Sequence, residues 1–139
     1  MDVAINENEM SFEAPLVVSK VFENCLYSGF FGRLDSERVK VITERMLEAV
    51  ESVDCDYIII DMSNIDLIDS AIAAHLMRIS RSLKFSGVEV ILCGIRGFVA
   101  QTMSTVDIQL NELVIQKDLL KALDFVYNAS GYKLVAVDK

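Results

Sequence analysis

The chain is poor in the residues that catalytic and metal centres most often use. Histidine occurs once, at position 75, with no Cys, Asp or Glu around it at a ligand or triad spacing. Zinc needs three or four converging ligands, so no metal site is expected, and His75 reads as a surface histidine on a helix. The three cysteines, Cys25, Cys55 and Cys93, lie far apart and form no CxxC pair, the spacing that redox and zinc motifs need. Cys25 and Cys93 fall inside apolar runs, where a free thiol behaves as a small hydrophobe; Cys93 is expected to be buried, reduced and structural. There is no GxxxxGK[ST] phosphate loop, and Gly94 and Gly97 alone do not amount to a nucleotide site. No catalytic residue and no cofactor are expected.

Positive charge is also scarce. Thirteen Lys and Arg stand against 21 Asp and Glu, a formal net charge of -8. Phosphate-rich partners require a basic surface, so nucleic acid and anionic membrane are excluded as partners, while a basic protein partner is permitted. No apolar run approaches the ~20 residues needed to span a bilayer. Residues 1–14 carry Asp2, Glu7, Glu9 and Glu13, the opposite of a secretory signal. They are expected to form a flexible acidic lead-in, and the cytoplasm is the expected location. Proline occurs once, at position 15, and marks the start of one folded domain over residues 15–139. That length suits a single core, and neither a repeat nor a linker interrupts it.

What is present is α/β grammar. Leu16–Val21 and Asn24–Gly29 read as two strands turned at Glu23-Asn24, an antiparallel hairpin. Gly29 to Gly32 lead out of it, and Tyr27, Phe30 and Phe31 are expected to expose an apolar patch for self-association. Asp35 is an N-cap candidate for a helix whose apolar face is Val39, Ile42, Met46, Ala49, Val50 and Val53. Tyr57-Ile58-Ile59-Ile60 has no polar alternation and predicts a central strand buried on both faces, stopping at Asp61. A polar connector, Asp61 to Asp66, leads to Asp69-Ser70 and a helix with Ile72, Leu76, Ile79 and Leu83 on one face, closed by Gly87. Val88–Cys93 predicts the next inner strand, followed by a short helix from about Phe98 to Val106. Leu113–Ile115 predicts a short strand, Asp118 a cap for a last helix, and Tyr132–Val137 an extra edge strand.

Strand, loop, helix repeated in this way places working groups in loops at the carboxyl ends of parallel strands. Two hydroxyls, Ser70 and Thr102, are expected there. A phospho-accepting receiver domain would need an acid pair after its first strand, and Phe31-Gly32-Arg33 stands there instead. Ser70 has a bland role open to it, capping the helix N-terminus, and Asp69 is able to do the same. The functional role is a regulatory hydroxyl that a kinase reaches. Phosphate there suits the helix dipole but adds charge beside Asp66 and Asp69.

The run Asp61-Met62-Ser63-Asn64-Ile65-Asp66-Leu67-Ile68-Asp69-Ser70-Ala71-Ile72-Ala73 resembles the core of STAS domains, the anti-sigma-factor-antagonist fold. Val90-Ile91-Leu92-Cys93-Gly94-Ile95-Arg96-Gly97-Phe98-Val99-Ala100-Gln101-Thr102 is similar to the branch found in stressosomes, large bacterial assemblies of scaffold and co-antagonist STAS proteins. The resemblance implies a single-domain mixed sheet with about four helices. It makes Ser70 the phosphoacceptor of a serine/threonine switch kinase, with Thr102 matching a second phosphorylated hydroxyl known in scaffold members. Ser63, Asn64, Asp66, Asp69 and Arg96 then belong to the partner-binding surface. Other STAS scaffold proteins and further copies of the chain are implied as assembly partners. Gly97 replaces the proline usual after Ile-Arg, and serine rather than threonine stands at position 70. With no sensor domain ahead of Pro15, the pattern favours the stand-alone co-antagonist. The alternative is a STAS module that binds a small ligand or nucleotide in a cleft near Ser63, Asn64 and Gly94.

Overall fold

The computed structural model describes residues 16–105 and 113–138. The acidic lead-in expected over residues 1–14 lies outside them. Five strands form one sheet in the order β1-β2-β3-β4-β5: β1 Leu16–Phe22, β2 Cys25–Arg33, β3 Tyr57–Leu67, β4 Glu89–Cys93 and β5 Val114–Gln116. β1 and β2 are an antiparallel hairpin turned at Glu23-Asn24, as expected. β2, β3, β4 and β5 are parallel, so each return needs a crossover. Helix α1 (Ser36–Ser52) joins β2 to β3, α2 (Ser70–Phe85) joins β3 to β4, α3 (Gly97–Met103) follows β4, and α4 (Leu119–Ala129) follows β5.

The central apolar run explains the layering. Side chains alternate across a strand, so Ile58, Ile60 and Met62 enter the core beneath α1 and α2, with Phe30, Ile42, Met46, Leu76, Leu83 and Leu92. Ile59 points the other way and packs with Cys25, Ile91, Cys93, Ala122 and Val126 beneath α4. Helices on both faces are what a strand with no polar alternation requires. The predicted inward residues of α1 (Val39, Ile42, Met46) and α2 (Ile72, Leu76, Ile79, Leu83) are all buried.

Several expectations are corrected. β2 does not end at Gly29 but runs to Arg33. Phe30 faces the core at 1% exposure, so the expected patch of Tyr27, Phe30 and Phe31 keeps Phe31 alone as an exposed large hydrophobe. β3 does not stop at Asp61; it continues through the polar connector to Leu67. α3 ends at Met103, while Val106 lies outside the described residues. Tyr132–Asp138 form no strand, and every residue there is exposed. His75 is half-buried between α1 and α2, with Thr43 Oγ1 3.4 Å from Nε2 and Arg78 Nη2 3.4 Å from Nδ1.

Candidate functional site

The carboxyl half of β3 carries most of the residues singled out from the sequence, and its pairing with β2 is irregular. Gly29 pairs with Asp61 and Phe31 with Asn64, three steps on β3 against two on β2. Gly32 then pairs with Ile65 and Arg33 with Leu67, two steps against one. An extra residue bends a strand and re-aims its side chains. Ser63, Asn64 and Asp66 therefore sit on a bent strand end rather than in a free loop.

Asp61 holds the first irregularity. Its Oδ1 accepts hydrogen bonds from the Ser63 backbone N–H (3.0 Å) and the Ser63 hydroxyl (2.7 Å). Its Oδ2 accepts from the Tyr27 hydroxyl on β2, 2.8 Å away. An aspartate bonding the N–H two residues on imitates a backbone turn, and that spacing is the sequence signal for it. Burial, reinforced by the hydrogen bond to Asp61 and its charge, pushes the Tyr27 hydroxyl up to about 12. Burial likewise pushes the Cys93 thiol up to about 12, with Asp61 and Asp118 adding to it. Such a thiol is protonated and inert at neutral pH.

Gly94 closes the same region. Its φ of +69° suits glycine, and a Cβ there would lie 2.7 Å from Asp61 Oδ1 and 2.9 Å from Ser63 Cβ. The space between Gly94 and Ser63 is thus filled at the point where a ligand cleft was the alternative expectation. An open surface pocket of about 300 Å³, lined by Ser80, Arg81, Lys84, Phe85 and Leu113, lies near the far end of α2 from Ser70.

Arg96, the N-cap residue of α3, is exposed, and its Nη2 donates to the Ile65 carbonyl at 3.0 Å. It ties the β4–α3 loop to the bent strand. The Leu34 N–H donates to the Leu67 carbonyl at 3.0 Å and fixes the last β3 residue. Ile68 and Ile72 are both buried, anchoring the chain on either side of Asp69 and Ser70. The Asp69 side chain, not Ser70, caps α2: its Oδ1 accepts from the Ile72 N–H at 2.8 Å. Ser70 is the first helical residue, exposed, and its hydroxyl makes no hydrogen bond among the described residues. Thr102 is not in a loop. It lies inside α3, half-buried, with its hydroxyl 3.4 Å from the Phe98 carbonyl. Exposed Leu67 and Phe98, which the sequence reading passed over, stand at the end of β3 and the start of α3.

The described residues hold no group of three or more His, Cys, Asp and Glu able to bind a metal ion. No helix among them is long and apolar enough to cross a membrane.

The STAS domain family profile matches residues 17–120. The chain is 29% identical over 124 residues to RsbT co-antagonist protein RsbRA of Bacillus subtilis (strain 168), a match covering 89% of this chain and 44% of that protein. It thus spans less than half the length of that curated relative. Among solved structures it is similar to an RsbS variant from Moorella thermoacetica, with a TM-score of 0.73 and 25% identity, covering 84% of this chain and 98% of that one. A chain of the stressosome structure shares the fold, with a TM-score of 0.65 at 24% identity over 83% of this chain and 99% of that one. The central aspartate with its bonded serine, the two-faced sheet and these matches agree: the chain belongs to the STAS-domain family.

Proposed function

We propose that this chain is a non-enzymatic, phospho-switchable regulator of the stressosome type. Unmodified, the surface around Ser70 binds a serine/threonine switch kinase in the cytoplasm. Phosphorylation of Ser70 releases it. The observation that carries this reading is the division of labour at the start of α2: Asp69 does the capping, which leaves the Ser70 hydroxyl exposed and unbonded. A hydroxyl with no structural duty, at a helix N-terminus that favours an anion, accepts phosphate without unfolding its host.

The effect on a docked partner is different. A phosphoserine carries about -1.5 to -2 charges at neutral pH, set beside Asp66 and Asp69. A partner surface matched to a neutral hydroxyl has to desolvate that charge, which is costly. Leu67 and Phe98 offer apolar contact next to Ser63, Asn64, Asp66 and Asp69, a combination suited to a basic, partly apolar face. Arg96 contributes by fixing the Ile65 carbonyl. Thr102 is the second candidate hydroxyl, and its place inside α3 makes it the less accessible one. The matched relatives named as co-antagonists of RsbT, together with the stressosome chain, support assembly with other STAS proteins.

The test is titration of wild type, Ser70→Ala and Ser70→Asp against the cognate kinase, with a phosphorylation assay and thermal melts of each. Ser70→Ala is expected to bind like wild type and to lose labelling. Ser70→Asp is expected to melt normally and bind at least tenfold more weakly. If Ser70→Asp binds as tightly as wild type and no residue of the segment is labelled, the switch is wrong.

A further inference from the structure

Two helices of this molecule open in the same way. Asp35 caps α1: its backbone is extended (φ -123°, ψ 178°) and its Oδ1 accepts from the Arg38 N–H at 3.0 Å. Asp69 caps α2 from the same conformation, accepting from the Ile72 N–H at 2.8 Å. In both helices the next residue is a serine at the first helical position, exposed, with a hydroxyl that makes no hydrogen bond among the described residues. Ser36 thus repeats the construction of Ser70. The other exposed helical serines among the described residues differ. Ser52 and Ser82 donate to carbonyls one turn back, that of Glu48 at 2.8 Å and that of Arg78 at 3.1 Å. α4 is also capped by an aspartate, Asp118, but a leucine follows it.

The two serines share one rim. β2 and β3 are parallel neighbours, so α1 and α2 both start beyond their carboxyl ends. Arg33 pairs with Leu67, and the Leu34 N–H donates to the Leu67 carbonyl at 3.0 Å, which stitches the approach to Ser36 to the approach to Ser70. Their charge surroundings differ. Within four residues of Ser70 stand Asp66 and Asp69 and no cation; within four residues of Ser36, Arg33, Arg38 and Lys40 stand against Asp35 and Glu37. Arg38 is paired with Asp35. Arg33 is exposed and makes neither a hydrogen bond through its side chain nor an ion pair among the described residues. Its charge still reaches the helix start. The Asp35 carboxyl is held below its ordinary value by the Arg38 N–H first, then by the Arg38 charge, with Arg33 adding to it.

We infer that Ser36 is a second phosphoacceptor on this rim, taking the γ-phosphoryl group of ATP from the kinase that modifies Ser70, and that Arg33 holds the phosphate. Naming that kinase as the donor rests on the proposed function. The bond from Ser36 Oγ to phosphorus forms as the bond from that phosphorus to the bridging oxygen of ADP breaks, and the hydroxyl proton passes to a base of the kinase. A kinase seated on the rim at Ser70 meets Ser36 on the neighbouring helix start, whereas Thr102 is half-buried inside α3. Phosphate at Ser36 gains the helix N-terminus and charge-assisted hydrogen bonds from the Arg33 guanidinium. Phosphate at Ser70 gains the first alone. The two modifications therefore differ in character: one deepens an acidic surface, and the other is neutralised where it forms.

The experiment incubates the full chain and its Ser36→Ala, Ser70→Ala and double variants with the cognate kinase and ATP, and maps the phosphates by mass spectrometry. In parallel, phosphoserine is genetically encoded at position 36 or at position 70, and its second ionisation is followed by phosphorus NMR. Wild type is expected to carry two phosphates, each single variant one, and the double variant none. The phosphate at position 36 is expected to ionise about half a pH unit below the one at position 70, and Arg33→Gln to raise that value. Label at Ser70 alone overturns the inference and leaves the switch standing. Label at Ser36 alone does the reverse, and no label at either overturns both. Ser19 is an exposed serine in β1 with a free hydroxyl; if it is labelled as fast as Ser36, exposure alone is at work and the inference fails. An ionisation at position 36 that Arg33→Gln leaves unchanged overturns the role of Arg33.

Discussion

Asp61 is a 7% exposed carboxylate that three donors reach, two from Ser63 and one from Tyr27. Among the described residues it has no ion-pair partner. Its stabilising role rests on those hydrogen bonds. Asp61→Ala leaves the Tyr27 hydroxyl and the Ser63 N–H without an acceptor, and an unsatisfied group costs about 1–3 kcal/mol. We expect a loss of about 2–3 kcal/mol in urea unfolding, against about 1 kcal/mol for Tyr27→Phe. Because the residues share one network, the double variant should lose less than the two losses added together; strict additivity would show that the Tyr27 bond contributes nothing. Gly94→Ala meets the same cluster from β4 and is expected to destabilise by about 1–3 kcal/mol, from a left-handed φ and a crowded Cβ together. A melting temperature equal to wild type would mean that β4 shifts freely. The sequence shows Asp61 as a strand-end acid. It does not show Tyr27, because a hydrogen bond between residues 34 positions apart depends on a strand register that no local pattern encodes.

The helices were the most legible elements, since their apolar faces and caps are local. Asp35, Asp69 and Asp118 each accept from the backbone N–H three residues on. Gly87, at φ +87°, follows α2 as a C-cap glycine should. Periodicity could not say which of two adjacent residues caps α2. The extended backbone of Asp69 (φ -107°, ψ 173°) gives it the cap and puts Ser70 inside the helix. That assignment predicts a contrast. Asp69→Ala should lose about 1 kcal/mol of stability and Asp69→Ser little, whereas Ser70→Ala should stay within about 0.5 kcal/mol. Equal losses at the two positions in thermal melts would return the cap to Ser70. The strands were less legible. Asp61 to Asp66 reads as a loop by composition, but β3 continues there because its backbone finds partners in β2, at the expense of two extra residues in the pairing. Phe30 and Phe31 look alike in sequence, and the pleat sends one to the core and the other to solvent. Tyr132 to Val137 has strand composition without a strand, since its backbone pairs with none of the described strands.

At the scale of the whole molecule, two unequal cores share one sheet, and the smaller one contains two of the three thiols. Cys25 and Cys93 pack with Ile59, Ile91, Ala122 and Val126 beneath α4, and Cys55 belongs to the larger core. Burial pushes the Cys25 and Cys93 thiols from 9.0 to about 12, with Cys55 adding at Cys25 and Asp61 and Asp118 adding at Cys93. The Cys55 thiol is raised as well, by burial first and by Asp56 and Asp54. Tyr27 rises from 10.0 to about 12. All four groups are neutral when protonated, and all hold their protons more tightly in the folded state. Between about pH 9 and pH 12 the unfolded chain therefore loses protons that the folded chain keeps. Stability falls with rising pH wherever the folded state binds more protons, so the contribution is complete below pH 9 and is lost as the pH climbs through the folded values. We expect the urea midpoint to hold from pH 7 to about pH 8.5 and then fall steadily, with the fall steepest near pH 10–11, where all the unfolded-state groups have ionised. Below pH 9 the thiols should resist a thiol reagent until the protein is unfolded, since the thiolate is the reactive form. The decisive comparison is a Cys25→Ala/Cys93→Ala variant. It should be less stable at pH 7, because small cavities open beneath α4, yet decline less between pH 9 and pH 11. If its midpoint falls with the same slope as wild type, Cys25 and Cys93 are not the source of the alkaline loss, and Tyr27 and Cys55 are.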